Sequence, residues 1–303
     1  MNKKWNTNNI ASQEGKIFLV TGANSGLGLG TTKVLATKGA EVVMAARNLE
    51  KGKKALQEVK QAAPQAKVIL MQLDLADLDS IEAFATEFKR NYQQLDVLIN
   101  NAGVMMPNER LTTKQGFEIQ FGTNHIGHFV LTHQLLPILE NTPNSRIVTL
   151  SSLVAKMSKA DIYWDDLQWE KSYDKMGAYA QSKLSNLMFA LELDQRLRAA
   201  NSPVTSLAAH PGYTATNLQQ HMGLTGKVMN FLLAQNLEMG ILPTLRAATD
   251  PEAKGGEYYG PLKWREMRGY PALNEPPALA LDQKSRTKLW TISEKYAKAS
   301  FAV

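Results

Sequence analysis

Short apolar runs alternate with longer segments of helical periodicity along most of the chain. The apolar runs are rich in β-branched and aliphatic residues, which is typical of buried strands. They predict strands at residues 16–21, 41–46, 67–73, 96–100, 146–150 and 204–209. Because helical segments separate them, we expect a parallel sheet that is covered by helices on both faces.

The helical segments begin and end at residues that suit helix termini. A first helix follows a glycine-rich turn and runs to about Lys38, with Gly39 as its C-cap. Asn48 is a suitable N-cap for the second helix. Further helices are predicted at residues 79–91, about 115–140 and 177–199.

This order of elements predicts one α/β domain, a single-domain doubly wound (Rossmann) parallel sheet over residues 1–303. Residues 1–14 form a polar N-terminal extension. The alternation breaks after Gly212, so residues of about 213–245 are the expected substrate-recognition segment. Its many methionine and leucine side chains either line an adaptable pocket for a lipophilic compound or belong to the core.

The amino-acid composition excludes or disfavours several kinds of catalytic site, metal site and binding partner. The chain has no cysteine, which excludes disulfides, thiolate nucleophiles and cysteine-ligated metals. Its net charge of +6 is spread out, so we expect no nucleic-acid partner. No run approaches the roughly 18 uncharged apolar residues of a membrane span, and the N-terminus lacks the apolar core of a signal peptide. We therefore expect a soluble, cytoplasmic protein.

A glycine-rich turn follows the first predicted strand and opens a helix. It carries Gly22, Ser25, Gly26, Leu27 and Gly28. Glycines there permit positive φ and let a ligand approach the backbone, and the helix N-terminus favours a pyrophosphate. The spacing differs from the usual Gly-x-Gly-x-x-Gly, so a mere tight turn is the alternative. No Gly-Lys-Ser/Thr follows, which disfavours a P-loop nucleotidase.

The residue after the second strand indicates which dinucleotide is bound. NAD enzymes usually place a carboxylate there to hold the ribose hydroxyls. This chain has Arg47 instead, and a guanidinium suits a 2′-phosphate. We therefore predict NADP (NADPH) as the cofactor, with a surface arginine as the plain alternative.

Tyr179 and Lys183 are four residues apart on a predicted helix, which places both side chains on one face. A tyrosine with its ordinary pKa near 10 is a poor acid–base catalyst at neutral pH. A neighbouring ammonium favours the phenolate and so lowers the pKa of the phenol. The pair alone is common by chance and would not identify an active site.

The chain as a whole resembles the short-chain dehydrogenase/reductase family over roughly residues 15–260. The resemblance rests on motifs that occur in the family's order: Thr21 with the glycine-rich turn, Asp74-Leu75, Asn100-Asn101-Ala102-Gly103, Asn124, Ser151-Ser152, Tyr179 with Lys183, and Pro211-Gly212. Within the family, residues 121–129 and 210–218 are similar to the retinol-dehydrogenase-like and protochlorophyllide-reductase-like branch.

The resemblance implies roles for particular residues. Tyr179 would exchange a proton with the substrate oxygen, and Lys183 would bind the nicotinamide ribose and lower the pKa of Tyr179. Ser152, rather than Ser151, would hydrogen-bond the substrate oxygen, and Asn124 would hold a relay water. The expected cofactor contacts are Gly22, Ser25, Gly26, Leu27, Gly28, Arg47, Asp74, Leu75, Asn101, Ala102, Gly103, Tyr179, Lys183, Pro211, Gly212 and Thr216.

Other readings of these residues are weaker. His125 and His128 could share a helix face, but no third ligand has zinc-like spacing, so we expect packing roles and no metal. Ser152 lacks the Gly-x-Ser-x-Gly elbow of a hydrolase. The predicted function is hydride transfer to or from a small carbonyl or alcohol substrate, and a homodimer or homotetramer is expected by family resemblance. A non-catalytic dinucleotide sensor and a carbon–carbon double-bond reductase remain the alternatives.

Overall fold

The computed structural model describes residues 4–214 and 235–303. Thr216 and most of the expected substrate-recognition segment, residues 215–234, lie outside the described residues.

The described chain forms an eight-stranded sheet in the order β3-β2-β1-β4-β5-β6-β7-β8. All neighbouring strands are parallel except β7 and β8. The first six strands lie within one residue of their predicted positions, and the doubly wound α/β fold class is confirmed. The strands are β1 (Ile17–Thr21), β2 (Glu41–Ala46), β3 (Val68–Gln72), β4 (Val97–Asn100), β5 (Arg146–Leu150), β6 (Thr205–Ala209), β7 (Tyr258–Lys263) and β8 (Arg268–Leu273).

Helices cover both faces of the sheet. Asn48 caps α2 by accepting a 2.9 Å hydrogen bond from Lys51 N, as predicted. The C-cap of α1 is Lys38, one residue before the predicted Gly39, which has a φ of +89°. The helices are α1 (Gly26–Thr37), α2 (Leu49–Ala62), α3 (Leu78–Asn91), α4 (Ile119–Phe121), α5 (Gly127–Glu140), α6 (Lys175–Ala199), α7 (Leu237–Gly240), α8 (Leu242–Thr249), α9 (Ala278–Leu281) and α10 (Gln283–Ala297).

The helix expected at about 115–140 begins later than predicted. Thr112 and Glu118 form an antiparallel bridge, and the Glu118 carboxylate accepts a hydrogen bond from Phe121 N. The helix therefore starts at Ile119, because Glu118 caps it. A π-helical turn (Gly122–Ile126) then separates α4 from α5.

The elements after residue 250 were not predicted. β7 contains Gly260 and Pro261, and β8 contains Gly269 and Pro271. Glycine and proline are depleted in strands, so these segments lack the signature of the first six. β8 is the edge strand of the sheet, where proline is tolerated because one side of the strand makes no ladder bonds.

Alternation along each strand divides the core into two apolar layers. Leu19 and Leu98 face one layer, where Trp290 and Phe301 from the C-terminal part pack on α5. Phe18 faces the other. Trp5 and Ile10 of the polar N-terminal extension are buried in this second layer, so the extension is anchored to the domain.

None of the helices within residues 4–214 and 235–303 combines the length and apolar character needed to cross a bilayer.

Gly127 lets α5 lie directly against the loop after β3. A Cβ atom on Gly127 would collide with the backbone carbonyl oxygen of Leu75, and backbone cannot give way as a flexible side chain can. Asn124 lies one turn earlier, on the π-helical turn that leads into α5.

We predict that Gly127→Ala destabilises the protein by about 1–3 kcal/mol, because it overpacks a rigid contact. Chemical denaturation would measure the loss. Gly30→Ala is the matched control, since Gly30 is also helical and its nearest neighbours are side-chain atoms of Ile241 and Leu237. That control should be neutral or gain up to about 1 kcal/mol from helix propensity. Equal losses in both variants would contradict the close-contact argument.

Candidate active site

A crevice opens at the carboxyl ends of β1 and β4, where the loops leave the sheet in opposite directions. In doubly wound sheets this switch point is where ligands bind. Its accessible volume is about 290 Å³, and it is lined by Thr21, Gly22, Asn24, Ser25, Gly26, Leu27, Gly28, Ala45, Arg47, Leu73, Asp74, Leu75, Asn101, Ala102, Gly103, Val104 and Thr123. The structure thus brings together every expected cofactor contact up to Gly103.

The glycine-rich turn forms the floor of the crevice. Gly22 and Gly26 have φ values of +65° and +52°, which side chains rarely adopt. A Cβ on Gly28 would collide with Gly22 O, so the turn can close only around glycine. Ser25 is the N-cap of α1 but makes no capping hydrogen bond with its side chain. The first N–H groups of α1 thus remain available to an anionic ligand, as a pyrophosphate requires.

Thr21 ties this turn to the loop after β4. Its hydroxyl accepts hydrogen bonds from Asn101 N and Ala102 N, each at 2.9 Å. Its carbonyl oxygen accepts a 2.6 Å hydrogen bond from Asn101 Nδ2. The two loops therefore form one rigid wall of the crevice.

Two charged residues line the far part of the crevice. Arg47 is exposed and directly follows β2. Asp74 follows β3, and its carboxylate accepts a 2.9 Å hydrogen bond from Ala76 N, which fixes the local turn. The carboxylate that NAD enzymes place after β2 is absent at position 47.

Ser152 and Tyr179 meet beyond the end of β5. The Ser152 side chain lies close enough to act on the Tyr179 phenol, whose pKa it lowers as a hydrogen-bonding partner. Ser151 points elsewhere, because its Oγ donates a 2.7 Å hydrogen bond to Lys183 O. Of the two serines, the structure thus places Ser152 rather than Ser151 beside the Tyr179 phenol.

Lys183 is buried one helical turn after Tyr179. Its Nζ donates a 3.1 Å hydrogen bond to Leu150 O and lies 3.5 Å from the position of a Cβ built on Gly103. The Lys183 ammonium therefore lies next to the crevice wall at Gly103.

Burial moves the pKa values of the pair toward their neutral forms. It raises the pKa of Tyr179 to about 12, although the hydrogen bond with Ser152 opposes this shift. It lowers the pKa of Lys183 to about 8. The family resemblance implied that the pKa of the Tyr179 phenol is lowered. In the protein without a cofactor, desolvation of Tyr179 raises that pKa instead.

Asn124 lies on the π-helical turn and is held by three side-chain hydrogen bonds. Oδ1 accepts from Val104 N at 2.7 Å, and Nδ2 donates to Val104 O and Ser182 Oγ at 2.9 Å each. Asn124 Oδ1 also lies beside Gly103, where a Cβ would be 3.2 Å away. Asn124 and Lys183 therefore both lie behind the crevice wall at Gly103.

His128 connects Asn124 to Thr21, a link that the sequence did not indicate. Its Nδ1 lies 2.8 Å from Asn124 O, which only accepts, so Nδ1 carries the proton. Nε2 lies 2.9 Å from the Thr21 hydroxyl and accepts from it. Burial lowers the pKa of His128 to about 4, so the ring is neutral. The sequence indicated only that His125 and His128 could share a helix face, and the contacts of the His128 ring become evident only in the folded protein.

The remaining crevice residues were also missed. The other lining residues are Asn24, Ala45, Leu73, Val104 and Thr123, of which only Asn24 lies inside the glycine motif. Pro211 and Gly212 follow β6 and are not among the lining residues of the crevice.

Metal chemistry was not expected, and the described residues contain no group of three or more histidine, aspartate or glutamate side chains that could hold an ion. His125 instead lies 2.8 Å from Ser293 Oγ and packs against Phe121.

Comparison with known proteins gives consistent matches. The family model "short chain dehydrogenase" matches residues 16–163. Human retinol dehydrogenase 14 (Homo sapiens) is 37% identical over 301 residues, covering 92% of this chain and 85% of the relative. Human retinol dehydrogenase 11 is 45% identical over 208 residues, covering 68% of this chain and 64% of the relative.

Solved structures agree. The crystal structure of an uncharacterized protein from Mycobacterium paratuberculosis superposes with a TM-score of 0.83 at 37% identity, covering 99% of this chain and 100% of that one. RhlG of Pseudomonas aeruginosa, in an active-site complex with NADP, has a TM-score of 0.67 at 19% identity, covering 82% and 94%. This second likeness concerns the fold alone.

The buried Lys183 ammonium predicts a stability penalty that depends on pH. Because its pKa is lower in the folded state than the ordinary 10.5, the penalty is complete below pH 8 and disappears as pH rises toward 10.5. Lys183→Met should therefore raise the free energy of unfolding at pH 7 by roughly 1–3 kcal/mol.

Urea unfolding of both proteins between pH 7 and 10.5 would measure this difference. The gain should shrink with rising pH, because the wild-type protein recovers stability over that range. A constant difference, or a less stable variant at pH 7, would contradict the predicted penalty.

Proposed function

Because the chain belongs to the short-chain dehydrogenase/reductase family, in its retinol-dehydrogenase-like branch, we propose that this oxidoreductase uses NADP to interconvert a lipophilic carbonyl compound and its alcohol, with Tyr179 as the acid–base residue. The observation that carries this proposal is that the crevice at the switch point is lined by the glycine-rich turn and by Gly103, and that Lys183 Nζ and Asn124 Oδ1 lie beside Gly103. Tyr179 precedes Lys183 by one turn of α6, and Ser152 acts on its phenol.

The crevice suits a dinucleotide phosphate. The open N-terminus of α1 would hold the pyrophosphate, and Asp74 and Leu75 would border the adenine. The Arg47 guanidinium would pair with a 2′-phosphate, which NAD lacks. NADP supplies the hydride chemistry.

The protein's own residues would supply position and a proton. Ser152 Oγ would donate a hydrogen bond to the substrate oxygen and so stabilise its developing negative charge. The Tyr179 hydroxyl would give a proton to that oxygen in reduction and remove it in oxidation. The raised pKa of Tyr179 keeps the phenol protonated, which is the form that reduction needs.

Lys183 would assist in two ways. Its buried ammonium lies at the crevice wall beside Gly103, where it would hydrogen-bond the nicotinamide ribose. The same charge would favour the phenolate of Tyr179 and thus ease the oxidation direction. Asn124 would fix a water that links Lys183 to solvent.

A lipophilic substrate is proposed on two grounds. Several relatives are named retinol dehydrogenases, and retinol is a lipophilic alcohol. Met105 and Met106 directly follow the crevice residue Val104 and are half-buried, and methionine adapts to varied apolar shapes.

Tyr179→Phe tests the proposed chemistry. Loss of the phenol should lower kcat by roughly 100-fold to 10,000-fold, because no other group replaces the proton donor. NADPH affinity should change less than about threefold, since the ring remains in place. Absorbance at 340 nm with a panel of lipophilic aldehydes and ketones would measure turnover, and NADPH titration would measure binding.

Tyr173→Phe is the matched control, because this phenol hydrogen-bonds only Gln120 and Pro107 and should be dispensable for turnover. Retained activity in Tyr179→Phe would contradict the role. NADPH binding by the wild-type protein without turnover would indicate a sensor, and turnover restricted to conjugated enones would indicate a double-bond reductase.

Arg47→Asp tests the cofactor preference. Loss of the guanidinium and added repulsion should weaken NADPH binding by roughly 100-fold and leave NADH binding within about threefold. Fluorescence titration with both dinucleotides would measure the two constants. Lys54→Asp makes the same charge change on the exposed side of α2 and should alter neither strongly. Equal losses for NADPH and NADH in Arg47→Asp would overturn the preference.

A further inference from the structure

A cluster of three titratable side chains at the carboxyl edge of the sheet has no part in the steps above. Lys156 Nζ lies 2.6 Å from Glu266 Oε1 and 2.8 Å from Oε2. His210 Nε2 lies 3.3 Å from Glu266 Oε2. The His210 side chain is fully buried, and those of Lys156 and Glu266 are 20% and 25% exposed. Two partners therefore share one carboxylate in a largely desolvated position.

Each member of the cluster belongs to a different segment. Lys156 ends the short 3₁₀ helix (Leu153–Lys156) whose N-cap is Ser152. His210 follows β6 and precedes Pro211 and Gly212. Glu266 lies in the turn between β7 and β8. The carboxylate thus joins the loop that carries Ser152 to the Pro211–Gly212 loop, which the family resemblance matches to the loop that orients the nicotinamide.

The hydrogen bonds of His210 are directional. Gly212 N donates to His210 Nδ1 at 3.2 Å, so in the neutral ring the proton is on Nε2. Nε2 lies 3.3 Å from both Glu266 Oε2 and Asn274 Nδ2, and of these two only the carboxylate oxygen can accept its proton. Glu266 therefore orients the imidazole, and the imidazole in turn holds the backbone of Gly212 by an accepted hydrogen bond.

Glycines make room for this arrangement. A Cβ on Gly260 of β7 would collide with the His210 ring. Gly212 has φ +64°, and a Cβ there would lie 2.5 Å from Met267 O. Met267 O also accepts a 2.9 Å hydrogen bond from Tyr213 N. The β7–β8 turn therefore contacts the Pro211–Tyr213 loop through backbone as well as through His210.

The β7–β8 turn is strained. Trp264, Arg265 and Glu266 have φ values of 55°, 53° and 66°, and none of them is glycine. Left-handed backbone costs energy for such residues and persists only where surrounding contacts fix it. The contacts of Glu266 with Lys156 and His210 stabilise this left-handed backbone.

Glu266 is ionised at neutral pH. Burial alone would raise the pKa of this carboxyl group, but hydrogen bonds from His210 and Lys156 lower it to about 2. Burial lowers the pKa of His210, even though the carboxylate opposes that shift. At neutral pH the bridge is a carboxylate between an ammonium and a neutral imidazole.

We propose that Glu266 is a positioning residue that bridges Lys156 and His210 and thereby fixes the Ser152 loop relative to the Pro211–Gly212 loop. The proposal rests on the proposed function for its catalytic consequence, since Ser152 would hold the substrate oxygen and the second loop would border the nicotinamide. A displacement of about 1 Å of one loop relative to the other would misalign the hydride and proton transfers.

Glu266→Gln and Lys156→Met test the bridge. Both should lower kcat by roughly tenfold, with the KM for NADPH changed less than about threefold, because alignment rather than binding is lost. The double variant should be little worse than Glu266→Gln alone, since both changes break the same contact. Lys156→Arg keeps the cation and should retain most of the wild-type kcat.

Hydrogen exchange of the backbone amides of residues 210, 212 and 213 gives a second readout that needs no turnover. In Glu266→Gln these amides should exchange roughly tenfold faster or more, because the loop loses its brace. Asp250→Asn is the matched control, since it breaks a similarly buried ion pair with Arg246 at the opposite edge of the sheet. It should lower Tm without changing kcat or exchange at residues 210, 212 and 213.

The bridge is refuted if Glu266→Gln behaves like Asp250→Asn, with a lower Tm and unchanged exchange and kcat. It is also refuted if the kcat losses of Glu266→Gln and Lys156→Met multiply in the double variant. A wild-type protein that reduces no carbonyl compound would defeat the proposed function instead, and the exchange measurement would still decide for or against the bridge.

Discussion

The hydroxyl of Thr21 lies where three segments that are distant in sequence meet, and the crevice depends on it. It accepts from the backbone of Asn101 and Ala102 and donates to His128, whose other nitrogen holds the carbonyl of Asn124. Each of these groups is buried or half-buried, so an unmade hydrogen bond would cost about 1–3 kcal/mol. One side chain thus keeps the phosphate-binding turn, the loop after β4 and the π-helical turn in register.

Much of the fold could be predicted because its signals are local. β1 to β6 are continuous apolar runs, and Asn48 and Gly39 mark helix ends through bonds that span only a few residues. β7 and β8 could not be found in this way. Pro271 suits the edge strand β8, and Gly260 in β7 leaves the space that His210 occupies, and both requirements come from residues far away in sequence.

In the candidate site, too, the sequence predicts the residues that form local patterns and not those that meet only in the fold. The Tyr179–Lys183 pair and the glycine-rich turn are recognisable patterns, since the residues of each pattern lie close together in sequence. The partnership of Glu266 with Lys156 spans 110 residues, and no spacing rule connects them. The sequence also could not show that desolvation raises the pKa of Tyr179, because burial is a property of the assembled molecule.

The position of β1 beside β4 affects how the protein must fold. Phe18 pairs with Val97, although β2, β3 and their helices come between them along the chain. Such high contact order slows folding, because the entropy of closing a long loop is lost before the pairing compensates for it. During synthesis the glycine-rich turn emerges first but has no opposite wall until Asn101 is available, so a nascent chain cannot capture a dinucleotide early to stabilise itself.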